Sequence, residues 1–100
     1  MSVAIEFHPE AADEAVEAQQ RYAEQSEKTA ERFLAEVQRA LEKIGEFPDR
    51  YPRHSHGTRV FLLRRFRYLI IYKAYADHVK IVVVAHGKRK PGYWKHRVTK

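Results

Sequence analysis

Between Val79 and Ala85 the chain reads Val-Lys-Ile-Val-Val-Val-Ala, an almost unbroken apolar run in which β-branched residues dominate. Such side chains fit a pleated surface, and a run without polar alternation has to be covered on at least one face. The rest of the chain must therefore supply a layer that packs on this strand. The run stops at His86-Gly87 and opens into a basic, aromatic stretch, Lys88-Arg-Lys-Pro-Gly-Tyr-Trp-Lys-His-Arg97. A rigid strand thus delivers His86, Arg89, Tyr93, Trp94 and Arg97 to one end of a sheet. Charged and aromatic groups on the rim of a scaffold are where contact surfaces are built. The alternative is that Tyr93 and Trp94 fold back on the core while the cations only keep the protein soluble.

The covering layer is written in the first half. Val3, Ile5 and Phe7 alternate with Ala4 and Glu6, which predicts a short strand that His8-Pro9-Glu10 ends. Pro9 suits a first helical turn, and Glu10, Asp13 and Glu14 suit the positive end of a helix dipole. A helix is expected over about residues 9–24, with Ala12, Ala15, Val16, Gln19, Tyr22 and Ala23 along its apolar side. Gln25-Ser26 reads as a turn with Ser26 as the next N-cap. Ala30, Phe33, Leu34, Val37, Ala40, Leu41, Ile44 and Phe47 then follow three-and-four spacing up to Pro48. The two helices form an antiparallel hairpin, and the second stripe reads as core packing rather than a cofactor site.

Residues 49–57 hold one proline, two histidines and a glycine and read as a loop. His54 and His56 lack a third ligand nearby and read as solvated. From Thr58 the period becomes that of strands. One strand is expected over residues 59–64, one over 68–75, and a turn at Ala76-Asp77-His78 leads into the strand from Val79. Turns this short require antiparallel neighbours. The expected fold is α+β with the order β-α-α-β-β-β, a helical hairpin on a small, mainly antiparallel sheet.

A chain of 100 residues supports one domain, residues 1–100, with a single core. It has no cysteine, which excludes disulfide and thiolate chemistry and fits a cytoplasmic location. No apolar run approaches the ~20 residues of a membrane span, and residues 1–6 lack the features of a signal peptide. The net charge of +6 conceals a division. Residues 1–50 carry 12 acidic and 6 basic side chains, whereas residues 51–100 carry 1 acidic and 13 basic. One face is thereby suited to a polyanion or an acidic partner.

Several segments resemble the RelE/ParE superfamily, the small toxins of bacterial type II toxin–antitoxin modules. The C-terminal run Ala85-His-Gly-Lys-Arg89-Lys-Pro-Gly-Tyr93-Trp94-x-x-Arg97 is similar to its signature, closest to the ParE-like plasmid stabilization branch. Phe7-His-Pro-Glu-Ala11, Ala30-x-Arg-Phe33, Ile44-x-x-Phe-Pro48-x-x-Tyr-Pro52, Gly57-x-Arg59 and Arg65-Phe-x-Tyr68-x-Ile-x-Tyr72 match in order and spacing. The resemblance implies the β-α-α-β-β-β fold and a cognate acidic antitoxin as partner. Two kinds of target then stand open. The ParE-like branch inhibits DNA gyrase by binding, and shares this Leu-Ile-Ile-Tyr style of strand. The RelE-like branch is a ribosome-dependent endoribonuclease that cuts mRNA. It places an arginine where this chain has Leu69, and lysines on the preceding strand where this chain has Val60 to Leu63. A third reading is a remnant that binds its antitoxin without toxicity.

Residues implied for target or antitoxin binding are Arg59, Arg65, Arg67, His86, Arg89, Tyr93, Trp94 and Arg97. A nuclease would draw its catalytic groups from His86, Arg89, Arg65 and Tyr93. Trp94 is also expected to lay part of its ring on the sheet edge and close the C-terminal segment over the core. No metal, cofactor, membrane or small-molecule substrate is implied.

Overall fold

The second helix carries the pattern that predicts it. In the computed structural model, which describes residues 2–88 and 92–98, strand β1 (Ala4–Phe7) leads into α1 (Pro9–Gln25) and then α2 (Glu27–Glu46). Ser26 alone joins the helices; its Oγ accepts the Thr29 N–H at 3.4 Å as the N-cap of α2. Ala30, Phe33, Val37, Ala40 and Ile44 are buried on one side of α2. Leu34 and Phe47, which share the stripe, stay 39% and 50% exposed, because the apolar arc is wider than the surface it packs on. The Arg50 guanidinium lies over the Phe47 ring at 4.8 Å.

The buried side of α1 differs from the expected one. Ala11 and Ala18 are fully buried, with Ala15 and Tyr22 packed beside them, while Val16 is 52% exposed and Ala23 lies outside. The helix is rotated so that Glu14 turns towards the sheet, where a partner distant in sequence receives it. Alanine spacing alone carries no such information.

The second half of the chain builds the sheet from β2 (Arg53–His54), β3 (Thr58–Leu63), β4 (Tyr68–Ala74) and β5 (His78–His86). Strand order is β1-β5-β4-β3-β2, with β1 parallel to β5 and the other neighbours antiparallel. The expected loop over residues 49–57 therefore contains the two-residue β2 and a short 3-10 turn at Ser55–Gly57. Tyr72 Oη donates to the Pro48 carbonyl at 2.6 Å, tying the end of α2 to the middle of the sheet. Burial pushes the Tyr72 phenol up to about 12, so it stays a neutral donor.

The run Val79–Ala85 lies inside the sheet, between β1 and β4, and is covered on both faces. Tyr72 pairs with Ile81 while Ile71 pairs with Val83, so Val82 is an extra residue in β5. Such a bulge breaks the two-residue alternation. Val79, Ile81 and Val84 join the helices in one core, with Phe33, Ile44, Ile70 and Tyr72. Val82, Val83 and Ala85 join Ile71 and Trp94 in a second core. Trp94 is 3% exposed and so packs as expected, but against a sheet face rather than an edge. A short 3-10 turn at Lys95–Arg97 follows it.

Removing the indole is expected to leave a void that cannot collapse, because β-strands form its floor. Trp94→Ala is predicted to lower stability by about 3 kcal/mol or more. Urea unfolding measures this directly, and an unchanged midpoint would remove Trp94 from the core.

Candidate interaction site

The C-terminal segment is held by ion pairs as well as by Trp94. β1 ends at Phe7, and His8 N–H donates to the Ile81 carbonyl at 2.9 Å. Beyond that point no strand lies on this side of β5 among the described residues, and side chains take over. Glu14 Oε1 accepts the Val84 N–H at 3.0 Å, and Arg97 Nη1 donates to the Val82 carbonyl at 2.9 Å. Arg97 also grips Glu14 through both nitrogens, Nη1 to Oε1 at 2.9 Å and Nη2 to Oε2 at 3.0 Å. Its Nε reaches Glu10 at 3.2 Å, and the Tyr93 hydroxyl donates to Glu14. Side-chain exposure is 5% for Arg97 and 11% for Glu14.

Burial alone would push the Glu14 carboxyl up, but hydrogen bonds from Arg97, Tyr93 and the Val84 backbone outweigh it and hold the carboxyl below the ordinary glutamate value. Burial alone would likewise lower Arg97, and the bond to Glu14 reverses that. Glu10 is lowered chiefly by its contact with His96, whose Nε2 lies 3.0 Å from Oε1.

The residues that the sequence brought forward divide into groups. Tyr93, Trp94 and Arg97 face inward: Arg97 is buried, Trp94 is core, and the Arg97 guanidinium stacks over the Tyr93 ring at 5.1 Å. Tyr93 and Trp94 thus take the alternative in which they fold back on the core, whereas the placement of Arg97 on an open rim fails for a physical reason. A buried carboxylate from α1 draws the guanidinium in. Arg59 is 20% exposed and bound to the loop before β2, with Nη1 donating to the Tyr51 carbonyl at 2.8 Å and Nη2 3.9 Å from Asp49. Arg65 and Arg67 lie in the β3–β4 turn and are exposed; Arg65 makes a loose contact with Glu36 at 3.9 Å. Arg67 adopts a left-handed backbone, φ 57°, and its carbonyl accepts the Gly87 N–H at 2.9 Å. That bond sets the turn beside His86, the last residue of β5, whose Nδ1 accepts the Lys88 N–H at 3.2 Å. Arg89 lies outside the described residues. His54 and His56 are exposed, as expected, with one side of each ring facing Trp94 at 5.9 and 5.7 Å.

Two surface features were missed in sequence. The first is the outer edge of β3. β2 pairs only with Thr58 and Arg59, and Val60 N–H reaches the Pro52 carbonyl at 2.9 Å. By the two-residue period, the backbone groups of Leu62 point outward with no strand beside them among the described residues. An open groove runs along this edge, lined by Leu62 and Leu69 with the cations Arg39, Lys43, Arg64 and Arg65. The second feature is the sheet face opposite the helices. Val60, Ile71, Val83 and Ala85 line it under Trp94, and Leu62 pairs with Leu69 in register. Among the described residues no group of three potential ligands is placed to hold a metal ion, and no helix is long and apolar enough to cross a membrane.

Because Arg97 is buried against Glu14, Arg97→Ala is expected to cost about 3–5 kcal/mol by stranding the carboxylate. Arg65→Ala, at an exposed site, is expected to change stability by about 0.5 kcal/mol or less. The depressed carboxyl fixes the acid side. Its contribution is full above pH 4.5 and is lost as pH falls through the lower folded value. Glu14→Gln is therefore expected to flatten the fall of unfolding free energy with pH below that point, measured by urea titrations across the acid range. An unchanged acid slope would place the titration elsewhere.

With this geometry in place, comparison with known proteins is direct. The family description "ParE toxin of type II toxin-antitoxin system, parDE" matches residues 5–91. No curated protein matches the sequence. Among solved structures, a chain of the chromosomal ParDE TA system from P. aeruginosa superposes with a TM-score of 0.61 at 15% identity, covering 85% of this chain and 96% of its own. A mutant of the E. coli toxin RelE in the free state superposes with a TM-score of 0.64, also at 15% identity, covering 99% of this chain and 100% of its own. At such identities the two structures establish the shared fold, two helices on a mostly antiparallel five-stranded sheet. The family match spans most of the sequence, and this chain belongs to the ParE toxins of type II toxin–antitoxin systems.

Proposed function

We propose that this toxin acts by binding, with DNA gyrase as its target and a cognate acidic antitoxin as its neutralising partner. The observation that carries this reading is the apolar character of the sheet face opposite the helices. Cleavage of RNA there would need cations for the charge of the phosphorane and a base for the 2′-hydroxyl. Leu62 and Leu69 pair on that face beside the β3–β4 turn, and Trp94 covers its floor. Leu69 also stands where the nuclease branch of the superfamily has an arginine. Among the described residues the candidate contacts that remain exposed, Arg65 and Arg67, lie on a turn at its end, where they suit recognition better than catalysis.

The antitoxin reading rests on the β3 edge. An extended segment laid there gains main-chain bonds at Leu62, and four cations line the groove against the single carboxylate Glu36. An acidic strand is the complementary occupant, and charge steering would speed its arrival at low salt.

Purified toxin is expected to inhibit gyrase supercoiling, with the combined Arg65→Glu and Arg67→Glu variant weakened by about tenfold or more through charge reversal. Primer extension on translating ribosomes is expected to show no codon-phased cuts. Cuts that vanish in His86→Ala would overturn the binding reading and restore the nuclease one. For the antitoxin, Leu62→Pro removes the edge donor and is expected to slow capture, whereas an association rate independent of ionic strength would remove the acidic segment from the account.

A further inference from the structure

A second concave site lies on the other side of the sheet, between α1 and the end of β5. It encloses about 150 Å³ and is lined by Glu14, Glu17, Arg21, Tyr68, His86 and Lys88. Neither the family match nor the proposed function uses it.

Its polar groups are oriented as donors. Arg21 Nη2 donates to Tyr68 Oη at 2.6 Å, so the phenol oxygen is occupied as an acceptor and its own proton is left to give. The Tyr68 ring is held rigidly, packed against Tyr22 and Phe33 and 3% exposed. His86 stands edge-on to that ring at 5.6 Å. Its Nδ1 accepts the Lys88 N–H, which places the ring proton on Nε2. Four donor groups, from Arg21, Tyr68, His86 and Lys88, therefore line one small cavity.

The charge balance favours an anion. Glu14 already meets Arg97 through both oxygens and is neutralised from outside the cavity. Arg21 and Lys88 form no ion pair among the described residues, leaving Glu17 as the opposing charge. Two cations and two neutral donors against one exposed carboxylate suit a small tetrahedral oxyanion, for which guanidinium and ammonium donors give strong charge-assisted bonds. The volume admits one phosphoryl group and leaves the remainder of a larger ligand outside. We infer that the cleft formed by Arg21, Tyr68, His86 and Lys88 is a phosphate-binding site, filled by the free ion or by the terminal phosphate of a mononucleotide.

Titration of the full chain with inorganic phosphate and with adenosine monophosphate, followed by calorimetry and by amide NMR, tests this. Saturable single-site binding is expected, with shifts centred on Tyr68, His86, Gly87 and Lys88. Arg21→Gln is expected to weaken it by about tenfold, and Lys88→Gln by roughly threefold, as befits one inner and one outer charged donor. Lys88 is exposed and its side chain makes no hydrogen bond or ion pair among the described residues, so its variant reports binding with little change in the fold. Arg53, on β2 at the far edge of the sheet, supplies the control, and Arg53→Gln is expected to leave binding unchanged. Tighter binding of the nucleotide assigns the site to a phosphate ester, and equal binding assigns it to the free ion. Absence of saturation, or equal losses in Arg53→Gln and Arg21→Gln, would overturn the inference, since a chain of net charge +6 attracts anions over its whole surface.

Discussion

A guanidinium and a carboxylate can be taken out of water together only when nearly every hydrogen-bonding position on both is filled. Arg97 and Glu14 meet that condition by using each other and by using the backbone of β5. β1 ends too early to cover the whole edge of β5, and an uncovered edge would leave Val82 and Val84 with unpaired main-chain groups. The Glu14 carboxylate accepts from Val84 and the Arg97 guanidinium donates to Val82, so two side chains stand where a strand would be. This bond set joins α1, the bulged centre of β5 and the C-terminal turn, three parts of the chain that local interactions cannot hold together. It also sets where Trp94 falls. With Arg97 drawn to the edge, the indole three residues earlier lies over Ile71 and Val83.

The sheet's bulge and this ion pair belong to one arrangement. A regular β5 would alternate its side chains and leave one face partly polar. The extra residue at Val82 lets consecutive valines share the Trp94 side, while Ile81 and Val84 stay with the helices. That is the physical content of the unbroken apolar run. It needs cover on both faces, and the C-terminal segment is the second cover.

Local pattern was enough for α2, the Ser26 cap and the three long strands, because their signals repeat within one or two turns of chain. It failed wherever a partner lay far away. The rotation of α1 depends on Glu14 finding Arg97, 83 positions later, and alanines have too little bulk to announce a buried side. β2 is two residues long and exists only because β3 offers it an edge. Arg97 was read as a surface cation since arginine is seldom buried without a partner, and the partner was invisible in the local sequence. His54 and His56 are exposed as read, and only their neighbour Trp94, forty residues on, was out of view. The fold was thus legible from periodicity together with the family resemblance. Of the candidate site residues, the inward turn of Arg97 was not legible, because its carboxylate partners lie in the first helix.

The division of charge between the two halves has a double meaning once these pairs are known. Apart from His78 with Asp77, every ion pair among the described residues joins an acid from the first half to a base from the second: Asp49 with Arg59, Glu36 with Arg65, Glu6 with His78, Glu10 and Glu14 with the C-terminal turn. Part of the asymmetry therefore serves to hold helices to sheet, and net charge overstates the surface left for a partner. Arg64, Arg67 and Lys88 carry no ion pair among the described residues and Arg65 only a long one, and all four flank the same end of the sheet. Exposed cations of this kind act at long range and weakly at contact, which suits the capture and orientation of an acidic or polyanionic partner. The centre of the face opposite the helices, by contrast, is lined among the described residues by Val60, Ile71, Val83 and Ala85 under Trp94, so the charge gathers at the rim and carbon fills the middle.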